Sequence, residues 1–179
     1  GPLIDLGVHF LDLALWLMGN PTPRTLSAPT YTAFATSSTP ADSAHAAFGE
    51  AKAAGVFDVE DLAIGFARFS NGAALQLEFS WASNIDEEAV FLELRGTRAG
   101  FIFRNWKLTL FGETAGALVD IAPKLPKLPY EQHGAFLRHF VDVVQGRTEP
   151  TIRPEHGVAM IDLLTGLYAS AEQGHEVSL

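Results

Sequence analysis

A chain of 179 residues with 47% hydrophobic and 18% charged content has the size and balance of one globular domain with a sizeable core. Its formal charge of −9 comes from 21 acidic against 12 basic residues with no basic cluster, which argues against nucleic acid and membrane surfaces as partners. The absence of cysteine excludes disulfides, thiolate metal sites and a cysteine nucleophile, and it suits a reducing, cytoplasmic setting.

The longest apolar run, around residues 13 to 18, is far too short to span a bilayer. No basic segment precedes it, so it does not read as a signal peptide. The chain enters its first helix with no lead-in element, which points to a fragment; Gly1-Pro2 stays open between a native start and an expression scar.

A first helix is expected from Asp5 to Gly19, where glycine suits the left-handed residue that ends a helix. Asn20-Pro21-Thr22-Pro23 forces a loop. Residues 25 to 36 are rich in strand formers but carry Pro29, the mark of an edge or broken strand. Residues 37 to 55 read as a Ser/Thr/Ala-rich surface excursion, with a short helix over 43 to 54. Leu62, Ile64 and Phe66 then alternate with small residues, and Asn71-Gly72 supplies a hairpin turn. The return strand sets Leu75, Leu77, Phe79 and Trp81 on one face and Gln76, Glu78 and Ser80 on the other, as in an antiparallel strand with one apolar face. Further strands are expected at 90 to 94, 101 to 103, 106 to 111 and 117 to 121, joined by links short enough for a meander. Pro123, Pro126 and Pro129 end the series. A helix follows over 130 to 145 with Phe136, Leu137, Phe140, Val141 and Val144 inward. Pro154 opens another, with Val158, Ile161, Leu164, Leu167 and Tyr168 inward, and Glu176–Leu179 forms a last short strand. The layout is α+β: an open, mostly antiparallel sheet with helices packed on one face.

The first helix carries a stripe. At about 100° per residue, Asp5, His9, Asp12 and Trp16 fall within a band roughly 60° wide, while nearly every other position is apolar. Such a helix is expected to be buried, and its polar groups must then find partners or line a cavity. Several outcomes satisfy this. Asp5 caps the helix, His9 is a satisfied core histidine and Asp12 finds a cationic partner; or aspartate and histidine one turn apart hold a metal. The third outcome is acid–base chemistry. The positive end of the helix dipole favours neutral imidazole, the form a general base needs, and a carboxylate one turn away orients it.

The residues from Gly1 to Pro21, with Asp5, Gly7, His9, Asp12, Trp16 and Gly19 in register, resemble a motif of the glucose–fructose oxidoreductase / inositol dehydrogenase / rhizopine-catabolism (Gfo/Idh/MocA) family. There G-x-l-x-D-x-G-x-H-x-x-D-x-x-x-W-l-x-G-x-P opens the substrate domain. Val59-Glu60-Asp61 through Asn71-Gly72-Ala73 is similar to the family's hairpin, and Leu94 to Gly100 to its l-x-G-t-x-G turn. Gly146, Pro150, Gly157, Tyr168-Ala169-Ser170, Gly174 and Val177 resemble its closing helix and strand. Carried over by position, His9 is implied to be the general base and Asp5 its orienting partner, with Asp12 and Tyr130 as substrate contacts. Trp16 is expected to pack rather than to bind.

The departures matter equally. No two of the 16 glycines are spaced as in G-x-G, and no lysine stands in the family's Glu-Lys-Pro setting. The resemblance therefore implies that residues 1 to 179 are one C-terminal substrate and dimerisation domain without its dinucleotide-binding partner domain. The full-length protein is expected to be an NAD- or NADP-dependent sugar or polyol dehydrogenase. The chain as given is expected to bind no dinucleotide, to hold no metal and to be inactive. A homodimer or homotetramer through the free sheet face is implied. Two alternatives share the fold: a regulatory protein that senses sugar or dinucleotide, and an NAD-dependent glycoside hydrolase.

Overall fold

The computed structural model describes residues 1–34, 56–126 and 132–179. The proposed helix over 43 to 54 and Tyr130 lie outside them. The chain divides into two compact units, Gly1–Asp86 with Pro154–Leu179, and Glu87–Arg153.

In the first unit a π-helical turn, Leu3–Gly7, runs directly into α1 (Val8–Leu17), and Gly19 (φ +80°) and Asn20 (φ +52°) end the helix in left-handed conformations. β1 (Pro23–Ser27) and β2 (Thr30–Tyr31) both pair antiparallel with β3 (Leu62–Phe69), one along each half of the same edge. Pro29 separates them as expected, while its carbonyl still accepts the Ile64 N–H. β4 (Ala74–Ser80) takes the other edge of β3 through the Asn71-Gly72 hairpin, with Gly72 at φ +85°. Near the chain end, β9 (Val177–Ser178) pairs antiparallel with β1.

Alternate residues on β3 have opposite fates. Ala63, Ala67 and Phe69 belong to the core, whereas Leu62, Ile64 and Phe66 occupy the opposite face of the strand. The reason is α3 (Pro154–Gln173), which lies so close that a Cβ on Gly65 would meet the Leu77 and Leu167 side chains at 3.1–3.2 Å. The small residues Ala63, Gly65 and Ala67 let the helix approach, while Leu62, Ile64 and Phe66 turn outward. Core leucines from α1 (Leu11, Leu15), β1 (Leu26), β4 (Leu77) and α3 (Leu163, Leu164, Leu167) form one cluster on this face, each contributing about 2 kcal/mol of burial.

α3 presents a different stripe from the expected one. Met160, Leu163, Leu164, Leu167 and Ser170 are buried, while Val158 and Ile161 are exposed. Its periodicity admits two overlapping apolar arcs, and contact with β1 selects one.

The second unit holds a four-stranded antiparallel meander, β5 (Phe91–Arg95), β6 (Gly100–Arg104), β7 (Lys107–Thr114) and β8 (Ala117–Ile121), followed by α2 (Gln132–Val144). One sheet face is apolar through Leu92, Leu94, Phe101, Phe103, Leu108 and Leu110. The other mixes charge and aromatics, with Arg104 over the Phe91 ring at 4.8 Å. On α2, Phe136, Leu137, Phe140, Val141 and Val144 share a face as their spacing predicts, but all are exposed rather than inward. A period of 3.6 shows which residues face together, not what covers them.

The fold is α+β with exclusively antiparallel pairing among the described strands, and α1 and α3 share one face of the first sheet. Among the described residues no helix is long and apolar enough to cross a membrane.

Candidate active site

The first helix is amphipathic in an unexpected way. Leu3, Leu11, Ala14 and Leu15 are buried, but Ile4, Leu6, Leu13, Trp16 and Leu17 are exposed, and the burial expected all round does not occur. A helix on a single sheet layer has one covered side, so the rest of its apolar surface meets solvent. Asp5 and His9 are both exposed, and Asp12 is half-buried. Asp5 and His9 therefore lie on an open surface and are not buried charges.

Gly7 permits this placement. A Cβ there would meet the Phe79 ring at 3.0–3.1 Å, so glycine lets the π-helical turn settle on β4. Phe10 packs on the same ring, with centroids 6.5 Å apart. Two residues beyond Phe79, on the same strand face, stands Trp81. Its indole N–H donates to Asp5 Oδ2 at 3.1 Å. This contact was not legible in the sequence, where Asp5 is assigned to His9 and Trp81 only to an apolar strand face.

A second tie holds the start of the helix. Glu60 is 7% exposed, and its Oε1 accepts the Leu3 N–H at 3.1 Å and the Tyr168 hydroxyl at 2.9 Å. A Cβ on Gly1 would run into that carboxylate. Gly1, Tyr168 and the first helical turn thus converge on one carboxylate, that of Glu60. The carboxylate satisfies a helix N–H that would otherwise have no intrahelical partner. Asp61 is buried as well, with Oδ2 accepting the Ala33 and Phe34 N–H groups at 2.8 and 2.7 Å.

Burial first, and then the bond to Glu60, push the Tyr168 hydroxyl well above the ordinary tyrosine range. The folded state therefore keeps its proton to higher pH than the unfolded chain, which ionises near pH 10. Tyr168 contributes stability that is complete below that pH and is lost as pH rises toward the folded value. Urea midpoints of wild type and Tyr168→Phe are expected to differ at pH 8 and to converge above pH 10. A constant difference across that range would remove Tyr168 as the cause.

The described strands pair only antiparallel, with no parallel βαβ unit to place a glycine-rich turn against a helix N-terminus. The described residues also contain no cluster of three or more His, Asp or Glu side chains able to hold a metal.

The oxidoreductase-family C-terminal alpha/beta domain of the Gfo/Idh/MocA group matches residues 1–179, the whole chain. The chain belongs to the Gfo/Idh/MocA oxidoreductase family. It is 30% identical over 180 residues to a D-glucoside 3-dehydrogenase of Escherichia coli K12, covering 100% of this chain and 49% of that protein. The fold is similar to that of a UDP-N-acetylglucosamine 3-dehydrogenase from Acidithiobacillus ferrooxidans (TM-score 0.70, 18% identity, 96% of this chain and 47% of the other). It is also similar to the WlbA dehydrogenase of Bordetella pertussis, solved with NADH and UDP-GlcNAcA (TM-score 0.65, 17% identity, 100% and 45%). The chain thus spans about half the length of these Gfo/Idh/MocA relatives.

Proposed function

We propose that residues 1 to 179 are the substrate and assembly domain of an NAD- or NADP-dependent dehydrogenase acting on a sugar or polyol hydroxyl. The observation that carries this reading is the exposed Asp5/His9 pair on successive turns of a helix whose opposite side is core. An exposed imidazole four residues from a carboxylate that accepts the Trp81 indole N–H suits removal of a hydroxyl proton. Membership of an oxidoreductase family supports the reading, as does the likeness to a glucoside dehydrogenase.

In this reading His9 takes the proton of the reacting hydroxyl as that carbon is oxidised to a carbonyl. Asp5, braced by Trp81, orients the imidazole or the substrate and offsets the positive charge that His9 acquires. Asp12 and Tyr130 are proposed as further substrate contacts on the strength of the family motif alone. A nicotinamide held by the rest of the protein supplies the hydride acceptor when bound; this chain's residues hold the alcohol. The protein with its dinucleotide-binding half should reduce NAD or NADP when offered glucosides, free aldoses and inositols. Complete inactivity on all three classes with either cofactor would sink the reading.

Assembly through the outer face of the first sheet belongs to the same proposal. Leu62, Ile64 and Phe66 lie there, with the Arg68 guanidinium over the Phe66 ring at 5.1 Å. Phe66→Glu places a carboxylate in the centre of that patch and is expected to convert a dimer to monomer in sedimentation velocity. An unchanged sedimentation coefficient would place the interface elsewhere.

A further inference from the structure

Trp81, just beyond the end of β4, is held by both its backbone and its side chain. Its backbone N–H donates to the Asp61 carbonyl at 2.9 Å, and Asp61 is itself buried. The neighbouring Ser80 hydroxyl lies 2.8 Å from the Ala82 carbonyl and 2.6 Å from Ser83 Oγ, which closes the turn that follows. The indole N–H is held by Asp5, and Phe57 packs on the ring edge-on, with centroids 6.3 Å apart. The backbone N–H and the indole N–H are thus both engaged, yet the residue remains 37% exposed. A partly exposed aromatic ring with a carboxylate at its N–H edge is a surface on which a ligand can stack.

The chemistry of the pair narrows the ligand. A pyranose ring presents a flat array of axial C–H groups on one face and hydroxyls around its rim. The C–H face suits the negative face of an indole, and a rim hydroxyl suits the free lone pairs of the Asp5 carboxylate. Acyclic polyols have the hydroxyls without the flat face.

We propose that Trp81 is a specificity-determining residue: a pyranoside stacks on its exposed indole face while Asp5, held by the indole N–H, accepts one of the sugar's hydroxyls. This deepens the dehydrogenase reading and rests on it for the choice of a sugar. Trp81 would then select ring sugars over open-chain polyols and set the angle at which the reacting hydroxyl meets His9.

The test uses the three tryptophans of the chain. In a 15N-labelled sample each gives one indole N–H resonance, and Trp106, in the other compact unit and 77% exposed, serves as the internal control. Asp5→Asn should move the Trp81 indole resonance and leave that of Trp106 in place. Titration with methyl β-D-glucopyranoside should shift Trp81 saturably, and sorbitol should do so at least several-fold more weakly. Trp81→Phe keeps a ring but loses the N–H, and should weaken binding roughly threefold; Trp81→Leu should weaken it roughly tenfold or more. Binding by the variants is followed on the Asp5-neighbouring backbone amides, and an otherwise unchanged amide spectrum verifies their fold.

The proposal is overturned if the glucoside shifts no Trp81 signal up to its solubility, or if sorbitol matches it. Wild-type affinity in Trp81→Phe and Trp81→Leu overturns it too. So does a saturable Trp81 shift with nicotinamide mononucleotide but not with the glucoside. Each result leaves the dehydrogenase reading standing, because that reading fails only on the turnover assay.

Discussion

His9→Ala is expected to lower turnover roughly 10²–10⁴-fold in the protein carrying both halves, with KM changed far less. The position explains the size. His9 is exposed on α1, four residues beyond an aspartate that accepts the Trp81 indole N–H, and in the proposed reading it is the group that takes the hydroxyl proton. Alanine removes the proton acceptor without touching the core, because the buried residues of α1 are Leu11, Ala14 and Leu15. Added imidazole should restore part of the lost rate in the variant, which a merely structural role for His9 would not allow. Asp5→Asn should cost less, since it preserves an acceptor for the Trp81 indole while removing the charge. Turnover of His9→Ala within twofold of wild type on the best substrate would show that another group takes the proton.

Glu60→Leu is expected to destabilise the chain by about 2–5 kcal/mol, read as a drop of roughly 10 °C in Tm. The substitution leaves two donors without their acceptor at once: the buried Leu3 N–H and the Tyr168 hydroxyl. Glu60→Gln keeps a carbonyl oxygen in the same place and should recover more than half of the loss. The two variants separate hydrogen bonding from packing, because leucine and glutamine fill similar volumes. Equal Tm values for Glu60→Leu and wild type would mean that water replaces the carboxylate without cost. Glu60 also joins α3, through Tyr168, to the turn that carries Asp5, so its loss should loosen the site before the fold.

Much of this was legible because local rules and global fold agree. The Asn71-Gly72 hairpin, the break at Pro29 and the short links of the meander follow from backbone preferences that act over a few residues. These needed no knowledge of partners. The grouping of Asp5, His9 and Asp12 on one stripe follows from helical geometry alone, and the motif spacing connects that stripe to an oxidoreductase family.

What the sequence could not decide concerns which surface meets which. Leu62, Ile64 and Phe66 look like core in a strand, and only the close approach of α3 shows that the small residues Ala63 and Ala67 face inward. Val158 and Ile161 are as apolar as Leu163 and Leu164, and only contact with β1 distinguishes them. The first helix offers the sharpest case. Its composition by itself established that polar groups interrupt an apolar helix; the tertiary structure decided that Asp5 and His9 stand in the open. It decided further that Asp5 answers to Trp81, 76 positions away in sequence. Period and propensity are properties of neighbours along the chain. A hydrogen bond between a helix and the far end of a strand depends on where the sheet places both, which is settled only when the core closes.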